Sequence, residues 1–265
     1  MAKKANLRVM AVAVVAILII ASSASATLTD GLVGHWEFDY GSGDTAYDSA
    51  GTNNGTIYDA NWTTGQIEGA LDFDGIDDYV DCGNSAELNP EYITISAWIN
   101  TSAAGSYNYI VSKDKTSWEQ QRVWQLSKTE NDNLRFVVFK SDDDYGGLDD
   151  WNDVTGNAVL ADGNWHLVTG TWDGSVIKVF VDGQEDGANN YSGFLQQGQT
   201  NNVLIGKKED NPNNFNGSID DVRFYNRALS STEIQEIYTN GIPEPATIAL
   251  LGFGSVSLLR KRRKH

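Results

Sequence analysis

Most of the side chains able to do chemistry in this 265-residue chain are carboxylates: 36 Asp and Glu, against 19 Lys and Arg, three His and one Cys. Carboxylates in such number serve hard cations, sugar hydroxyls or acid–base steps. Two groupings stand out. The first joins the loop residues Asp48, Asn53 and Asn54 to Asp220 in the strand-like run 217–225. Strict alternation in that run puts Asp220 on the face of Val222 and Phe224, pointing inward. An ionised inward carboxylate is costly unless paired, hydrogen-bonded or bound to metal. Calcium takes carboxylate, amide and carbonyl oxygens together, so one expectation is a calcium site shared by Asp48, Asn53, Asn54 and Asp220. The other is that Asp220 accepts backbone amides while Asp48 holds a turn. The second grouping spans 141–153: Asp142, Asp143, Asp144, Asp149, Asp150 and Asp153, with Tyr145 and Trp151. It lacks the glycine and closing glutamate of an EF-hand. It reads as a solvated loop or as a ligand loop. In the second reading Tyr145 and Trp151 stack on sugar rings while Asp149 and Asp150 accept hydroxyls. Trp118, Tyr107 and Trp124 are further aromatic candidates.

Nucleophilic catalysis finds little support. His35 and His166 are the only histidines before the terminal His265, no Gly-x-Ser-x-Gly elbow occurs, and Cys82 has no histidine near it in sequence. No catalytic residue is expected.

The elements that must position these groups are strands. Ile93, Ile95, Ala97 and Ile99 alternate with Thr94, Ser96, Trp98 and Asn100, the period-2 pattern of a strand with one buried face. Leu134, Phe136 and Val138 repeat it. Trp165, Leu167, Thr169 and Thr171 face one way, Val168 and Trp172 the other, and Asp173-Gly174 leads into the β run 176–181. Two β runs joined at Asp-Gly predict a hairpin. Shorter runs fall at 32–38, 69–73, 78–82, 109–112, 122–127, 203–206 and 217–225. Many short strands, with turns rich in Gly, Asn and Asp, predict an all-β, two-sheet antiparallel jelly-roll sandwich. One short C-terminal helix is expected: Ser230 and Glu233 have capping-box spacing, Ile234, Ile237 and Tyr238 share a face, and Gly241 stops it. Trp36, Trp98, Trp165 and Trp172 sit in strand patterns and are assigned to the core. Cys82, in a strand-like run, is expected to be buried.

The ends read differently. Residues 1–26 place Lys3, Lys4 and Arg8 before an apolar run at 9–21 and the small residues Ala24-Ser25-Ala26, the order of a secretory signal peptide. At the other end Pro243-Glu244-Pro245 precedes an uncharged run at 246–259 and Arg260-Lys261-Arg262-Arg263-Lys264. As a helix this run is shorter than the roughly 30 Å hydrocarbon core, and its basic end would stay cytoplasmic, holding the preceding domain outside the membrane. Between them, 27–241 form one expected domain. The leader takes three of the 19 cationic residues and the tail five, so the domain keeps 11 against 35 acids, about −24. That charge repels phosphate backbones, so no nucleic-acid partner is expected.

Several phrases, in order, resemble the LamG-like jelly-roll family of the concanavalin A-like lectin/glucanase superfamily. They are Gly31-Leu32-Val33-Gly34-His35-Trp36-Glu37-Phe38-Asp39, Asp48-Ser49-Ala50-Gly51-Thr52-Asn53-Asn54-Gly55-Thr56, Ala70-Leu71-Asp72-Phe73-Asp74-Gly75-Ile76-Asp77-Asp78-Tyr79-Val80, Ile93 to Ile99, Gly163-Asn164-Trp165-His166, Val179-Phe180-Val181-Asp182-Gly183, and Asn216-Gly217-Ser218-Ile219-Asp220-Asp221-Val222-Arg223-Phe224-Tyr225-Asn226-Arg227-Ala228-Leu229-Ser230. The resemblance implies a sandwich that binds glycans or proteins, often with a structural calcium. The same architecture hosts glucanases, whose catalytic acids lie in a Glu-x-Asp-x-Glu strand; no such string occurs here. The segment 242–265 resembles a PEP-CTERM sorting signal, which implies processing by an exosortase, a transient hold in the inner membrane, and a final place at the cell surface, outer membrane or extracellular matrix. The expected function is an exported binding module for a polysaccharide or surface glycan. A protein-adhesion module is the first alternative and a glycoside hydrolase the second.

Overall fold

A computed structural model describes residues 28–115, 122–141 and 151–241, with the backbone alone at Ser141 and Trp151. The expected leader and tail, and the candidates Trp118, Tyr145, Asp149 and Asp150, lie outside these residues. In chain order the strands are β1 (Leu32–Trp36), β2 (Thr45–Ala46), β3 (Gly55–Tyr58), β4 (Asn61–Thr64), β5 (Gly69–Asp74), β6 (Tyr79–Asp81), β7 (Ile93–Asn100), β8 (Asn108–Asp114) and β9 (Arg122–Lys128). They continue with β10 (Asn133–Ser141), β11 (Trp151–Val159), β12 (Trp165–Trp172), β13 (Val176–Val181), β14 (Gln184–Asn190), β15 (Phe194–Leu195), β16 (Leu204–Ile205) and β17 (Asn216–Tyr225), before the helix α1 (Ser231–Asn240). Two antiparallel sheets result, as the alternation predicts. The eight-stranded sheet runs β14-β13-β12-β7-β17-β5-β4 with β1 also on β17; the nine-stranded sheet runs β11-β10-β9-β8-β16-β6-β3-β2 with β15 on β10.

The core between the sheets is made by the residues that alternation selects. Ile93, Ile95, Ala97 and Ile99 of β7 meet Leu134, Phe136 and Val138 of β10 there, with Trp36 and Trp172 fully buried. The two sheets come close where Phe136 lies over Gly170 of β12: a Cβ on Gly170 would stand 2.5 Å from the ring. The predicted hairpin is present, with Thr171 opposite Lys178. Its turn is closed by Asp173, whose Oδ1 accepts the N–H groups of Ser175 and Val176, each at 2.8 Å.

The outer face of the eight-stranded sheet carries a second apolar cluster. Trp98, Leu167, Phe180 and Tyr225 pack there against Leu229, Ile234 and Ile237. Helix α1 covers them, started by the expected capping box of Ser230 and Glu233. Full burial of a side chain such as Ile234 or Ile237 contributes about 1.5–3 kcal/mol. Among the described residues no helix is long and apolar enough to cross a membrane. Cys82 is buried as expected, and burial pushes its thiol well above the usual range, which leaves it inert.

Three expectations need correction. Trp124, a candidate ligand aromatic, is fully buried in the inter-sheet core, on the inward phase it shares with Leu126. Trp151 and Asp153 belong to strand β11, which pairs with β10, rather than to a loop. Asp220 does not share a face with Val222 and Phe224. The pairing of β17 with β7 slips between Asp220 and Arg223, and Asp221 takes the left-handed conformation at φ 47°. This bulge inserts one residue. Asp220 lies opposite Trp98 on the outer side, while Val222 and Phe224 return to the core.

Candidate functional site

The four residues expected to share a cation do not converge. Both oxygens of Asp48 are committed to backbone N–H groups: Oδ1 accepts from His35 (2.9 Å), Ala50 (3.0 Å) and Gly51 (3.1 Å), and Oδ2 from Asn53 (2.9 Å). Asn54 Oδ1 accepts the Asp48 N–H at 2.9 Å, and Asn53 Oδ1 accepts the Ser85 hydroxyl at 2.6 Å. These three residues build a self-satisfied turn that holds β1, and the Asn53 carbonyl accepts the Trp36 indole N–H at 2.9 Å. Asp220 has other neighbours. Its Oδ2 accepts the Ile67 N–H at 2.8 Å, and its buried Oδ1 has no hydrogen-bond partner. Burial without a counter-charge raises its pKa to about 8, and Asp221 and Asp39 add to the rise. Among the described residues one trio of acids brings ligand atoms within 4.8 Å of one another, Asp74, Asp77 and Asp78. Two of its oxygens close the turn instead: Asp74 Oδ1 accepts from Ile76, and Asp78 Oδ2 from Asp74.

The neighbour of Asp220 behaves in the opposite way. The Asp221 carboxylate is held below its ordinary range, against burial, by His35 and Arg223. Arg223 Nε donates to Asp221 Oδ2 at 3.0 Å, His35 Nε2 meets Oδ1 at 2.5 Å, and His35 Nδ1 lies 3.1 Å from the Ser49 hydroxyl. Sequence spacing did not show this serine–histidine–aspartate chain, because its members are far apart in the chain. It has the connectivity of a hydrolytic relay. The neighbouring Ala50 and Gly51 amides donate to Asp48, and the His35–Asp221 contact ties β1 to β17.

The outer face of the nine-stranded sheet is where polar and aromatic groups meet around open space. Arg135, Val137 and Phe139 occupy the outward positions of β10, opposite in phase to Leu134, Phe136 and Val138. With Arg122 and Gln125 of β9, Tyr109 of β8, and Tyr107, Glu130, Lys208 and Asn213 from adjoining segments they line a groove of about 300 Å³. The rings of Tyr107 and Tyr109 meet edge to face at 5.1 Å, and the Arg122 guanidinium lies 4.1 Å from the centre of the Phe139 ring. Arg122 Nε donates to Asp114 Oδ1 at 3.1 Å, and Lys208 Nζ lies 2.8 Å from the other oxygen of that carboxylate. Arg135 Nε donates to Asp153 at 2.7 Å. Gln125 is buried, and its amide oxygen has no partner. Farther along the same face Tyr58 and Tyr79 pair across β3 and β6 with rings stacked at 4.4 Å, and Lys207 lies 4.3 Å above Tyr79.

Of the sequence-predicted ligand residues, Tyr107 lines this groove. Trp151 opens the strand that borders Phe139 on β10. Arg122, Gln125, Arg135, Tyr109 and Lys208 were missed. A signal for them exists: of the 11 cationic residues in 27–241, Lys113, Lys115, Arg122, Lys128, Arg135 and Lys140 fall on or beside β8–β10, and Lys207 and Lys208 follow β16. Eight of the domain's 11 cations on or beside one sheet is a clustering of its positive charge. Two of them turn away, Lys113 to Asn84 and Lys128 to Asp132.

Comparison with known proteins places this geometry. A family model described as the concanavalin A-like lectin/glucanases superfamily matches residues 74–235, and a PEP-CTERM protein-sorting motif matches 241–264. The chain belongs to the concanavalin A-like lectin/glucanase superfamily. Its sorting motif marks an exported chain with a C-terminal, membrane-anchored sorting step. A search of curated sequences finds no match. Among solved structures it is similar to domain 4 of AbnA, an extracellular arabinanase of Geobacillus stearothermophilus in complex with arabinotriose, with TM-score 0.62, 17% identity, and coverage of 78% of this chain and 98% of that one. It is also similar to the binding domain of Paraclostridial Mosquitocidal Protein 1 (TM-score 0.62, 15% identity, 80% and 52% coverage). A third is the ligand-binding domain of botulinum neurotoxin serotype D in complex with N-acetylneuraminic acid (TM-score 0.60, 16% identity, 82% and 53%). The chain spans about half the length of the two toxin domains. At these identities the likeness is one of fold.

Proposed function

We propose that this chain is an exported carbohydrate-binding module that does not itself hydrolyse its ligand. After a signal peptide at 1–26 is removed, an exosortase-type enzyme would process the tail, leaving the sandwich at the cell surface, outer membrane or extracellular matrix. The observation that carries the reading is the groove: aromatic rings, guanidinium groups and an unpartnered amide converge on the outer face of the nine-stranded sheet, while the opposite outer face is sealed. Sugars need this combination of ring faces and hydrogen-bond donors around a pocket. The arabinanase domain captured with a trisaccharide adds fold-level support. A glycan array probed with the 27–241 domain tests the proposal. Retention of a polysaccharide, lost on Tyr109→Ala, supports it; an empty array, or release of new reducing ends from any bound glycan, overturns it.

We also propose calcium as a stabilising ion, at Asp220 rather than in the loop at 48–54. Asp220 has the free buried oxygen, and Asp39, whose carboxyl burial also raises, is a second carboxylate near enough to act on it. A melting temperature unmoved by calcium or by a chelator would remove the ion.

A further inference from the structure

We infer that the groove is built for an anionic polysaccharide, with a sugar carboxylate seated between Arg122, Arg135 and Lys208. This deepens the carbohydrate-binding reading and rests on it.

The argument begins with charge. The domain holds 35 acids and 11 cations, yet three of the cations line one groove, where Glu130 is the acid among the described lining residues and Arg135 is paired with Asp153 at 2.7 Å. Arg122 and Lys208 approach the two oxygens of a single carboxylate, Asp114, which is itself fully shielded from solvent. One positive charge of that pair is therefore uncompensated by Asp114. Lys208 shows the strain: burial and the neighbouring Arg122 both pull its pKa down, and Asp114 only partly restores it. Two cations held this close cost free energy in the empty groove, and an incoming carboxylate removes that cost. Guanidinium groups also suit carboxylates geometrically, since they present paired N–H donors.

A second, independent observation is Gln125. It lines the same groove as Arg122 and Arg135, it is more than nine-tenths buried, and its amide oxygen meets no donor. An unpaired buried acceptor is costly, and a sugar hydroxyl beside the carboxylate would satisfy it. The charge and the amide together specify a sugar bearing both an acid and a hydroxyl. The long-range repulsion of the acidic domain does not forbid this, because fields are screened beyond about 8 Å at physiological salt.

The experiment is affinity electrophoresis and calorimetry of the 27–241 domain against three matched probes: polygalacturonate, its fully methyl-esterified form, and dextran sulfate. Each is run with calcium and with EDTA. The expected result is binding to polygalacturonate that survives EDTA and falls at least about tenfold on esterification, the loss of one charge-assisted contact. Gln125→Glu keeps the shape and adds a negative charge, so it should abolish binding to polygalacturonate while binding to the ester persists, with circular dichroism showing that the variant is folded. Arg135→Gln is the second variant and should weaken binding by a similar factor. Equal binding to acid and ester overturns the inference but leaves a neutral-glycan module. Binding lost in EDTA overturns it too, since calcium would then bridge the acid. Binding to dextran sulfate alone, or to all three probes without change in Gln125→Glu, also overturns it. Failure on every glycan of an array removes the carbohydrate reading itself.

Discussion

The two sheets are woven from strands of the same kind, yet their outer faces end differently. On the eight-stranded sheet the outward positions Trp98, Leu167, Phe180 and Tyr225 are apolar and sit beneath α1. On the nine-stranded sheet the outward positions include Arg122, Gln125, Arg135 and Tyr109, and they stay around an open groove. Strand alternation dictates only which residues enter the shared core. What happens on the far side depends on whether those side chains lose or gain by being covered. Large apolar groups gain about 25 cal/mol per Å² of buried area, so they recruit a helix. Cations and amides lose hydration when covered without partners, so Arg122, Lys208 and Arg135 are held by Asp114 and Asp153. One face is a second core and the other carries a polar groove.

The sharpest test of this contrast is to charge each face. Ile237→Asp places an unpaired carboxylate under α1 and should cost about 4 kcal/mol or more; the domain is expected to be largely unfolded by circular dichroism at room temperature. If it stays folded, the helix is not a structural lid. On the other face, Tyr109→Ala is expected to lower polysaccharide retention about tenfold, measured by affinity electrophoresis. Tyr109 is buried, with Tyr107 and Lys208 against its ring, so a loss of stability should accompany the change.

The bulge at Asp220-Asp221 provides a pH test of the sealed face. Asp220 is raised to about 8 by burial, against about 4 in an unfolded chain. The folded state therefore binds the extra proton. Its contribution is complete below pH 4, is lost progressively as pH rises toward 8, and is constant above. In EDTA, the melting temperature should fall by several degrees between pH 5 and pH 8, and Asp220→Asn should remove most of that slope. Asp221, held low by His35 and Arg223, works in reverse, contributing above pH 4 and losing its effect in acid. A melting curve independent of pH from 5 to 8 would contradict the unpaired state of Asp220. Smaller still is Ser230→Ala, which deletes the cap of α1 and should cost about 1 kcal/mol, or about 2–4 °C in a domain of this size. The smallest expected effect is Glu130→Gln in the groove. It removes an acid that lines the groove and should improve binding of an acidic glycan two- to threefold without moving the melting point.

Much of the architecture was determined by the chain itself, because it rests on local rules. The period-2 run at 93–100 had to be a strand with Ile93, Ile95, Ala97 and Ile99 inward, Asp173-Gly174 had to turn, and Ser230 with Glu233 had to start a helix. Each depends on residues a few positions apart. The sorting tail was legible for the same reason, as three short blocks in fixed order. The face taken by Asp220 was decided only in three dimensions. One left-handed residue, Asp221, slips the register of β17 against β7 and sends the carboxylate to the opposite side. The groove was likewise out of reach of spacing. It exists because β16 inserts beside β8 and brings Lys208 and Asn213 against residues at 107–139. Contacts of that separation are set by which strands pair, a choice the hydrophobic core makes collectively and no single segment encodes.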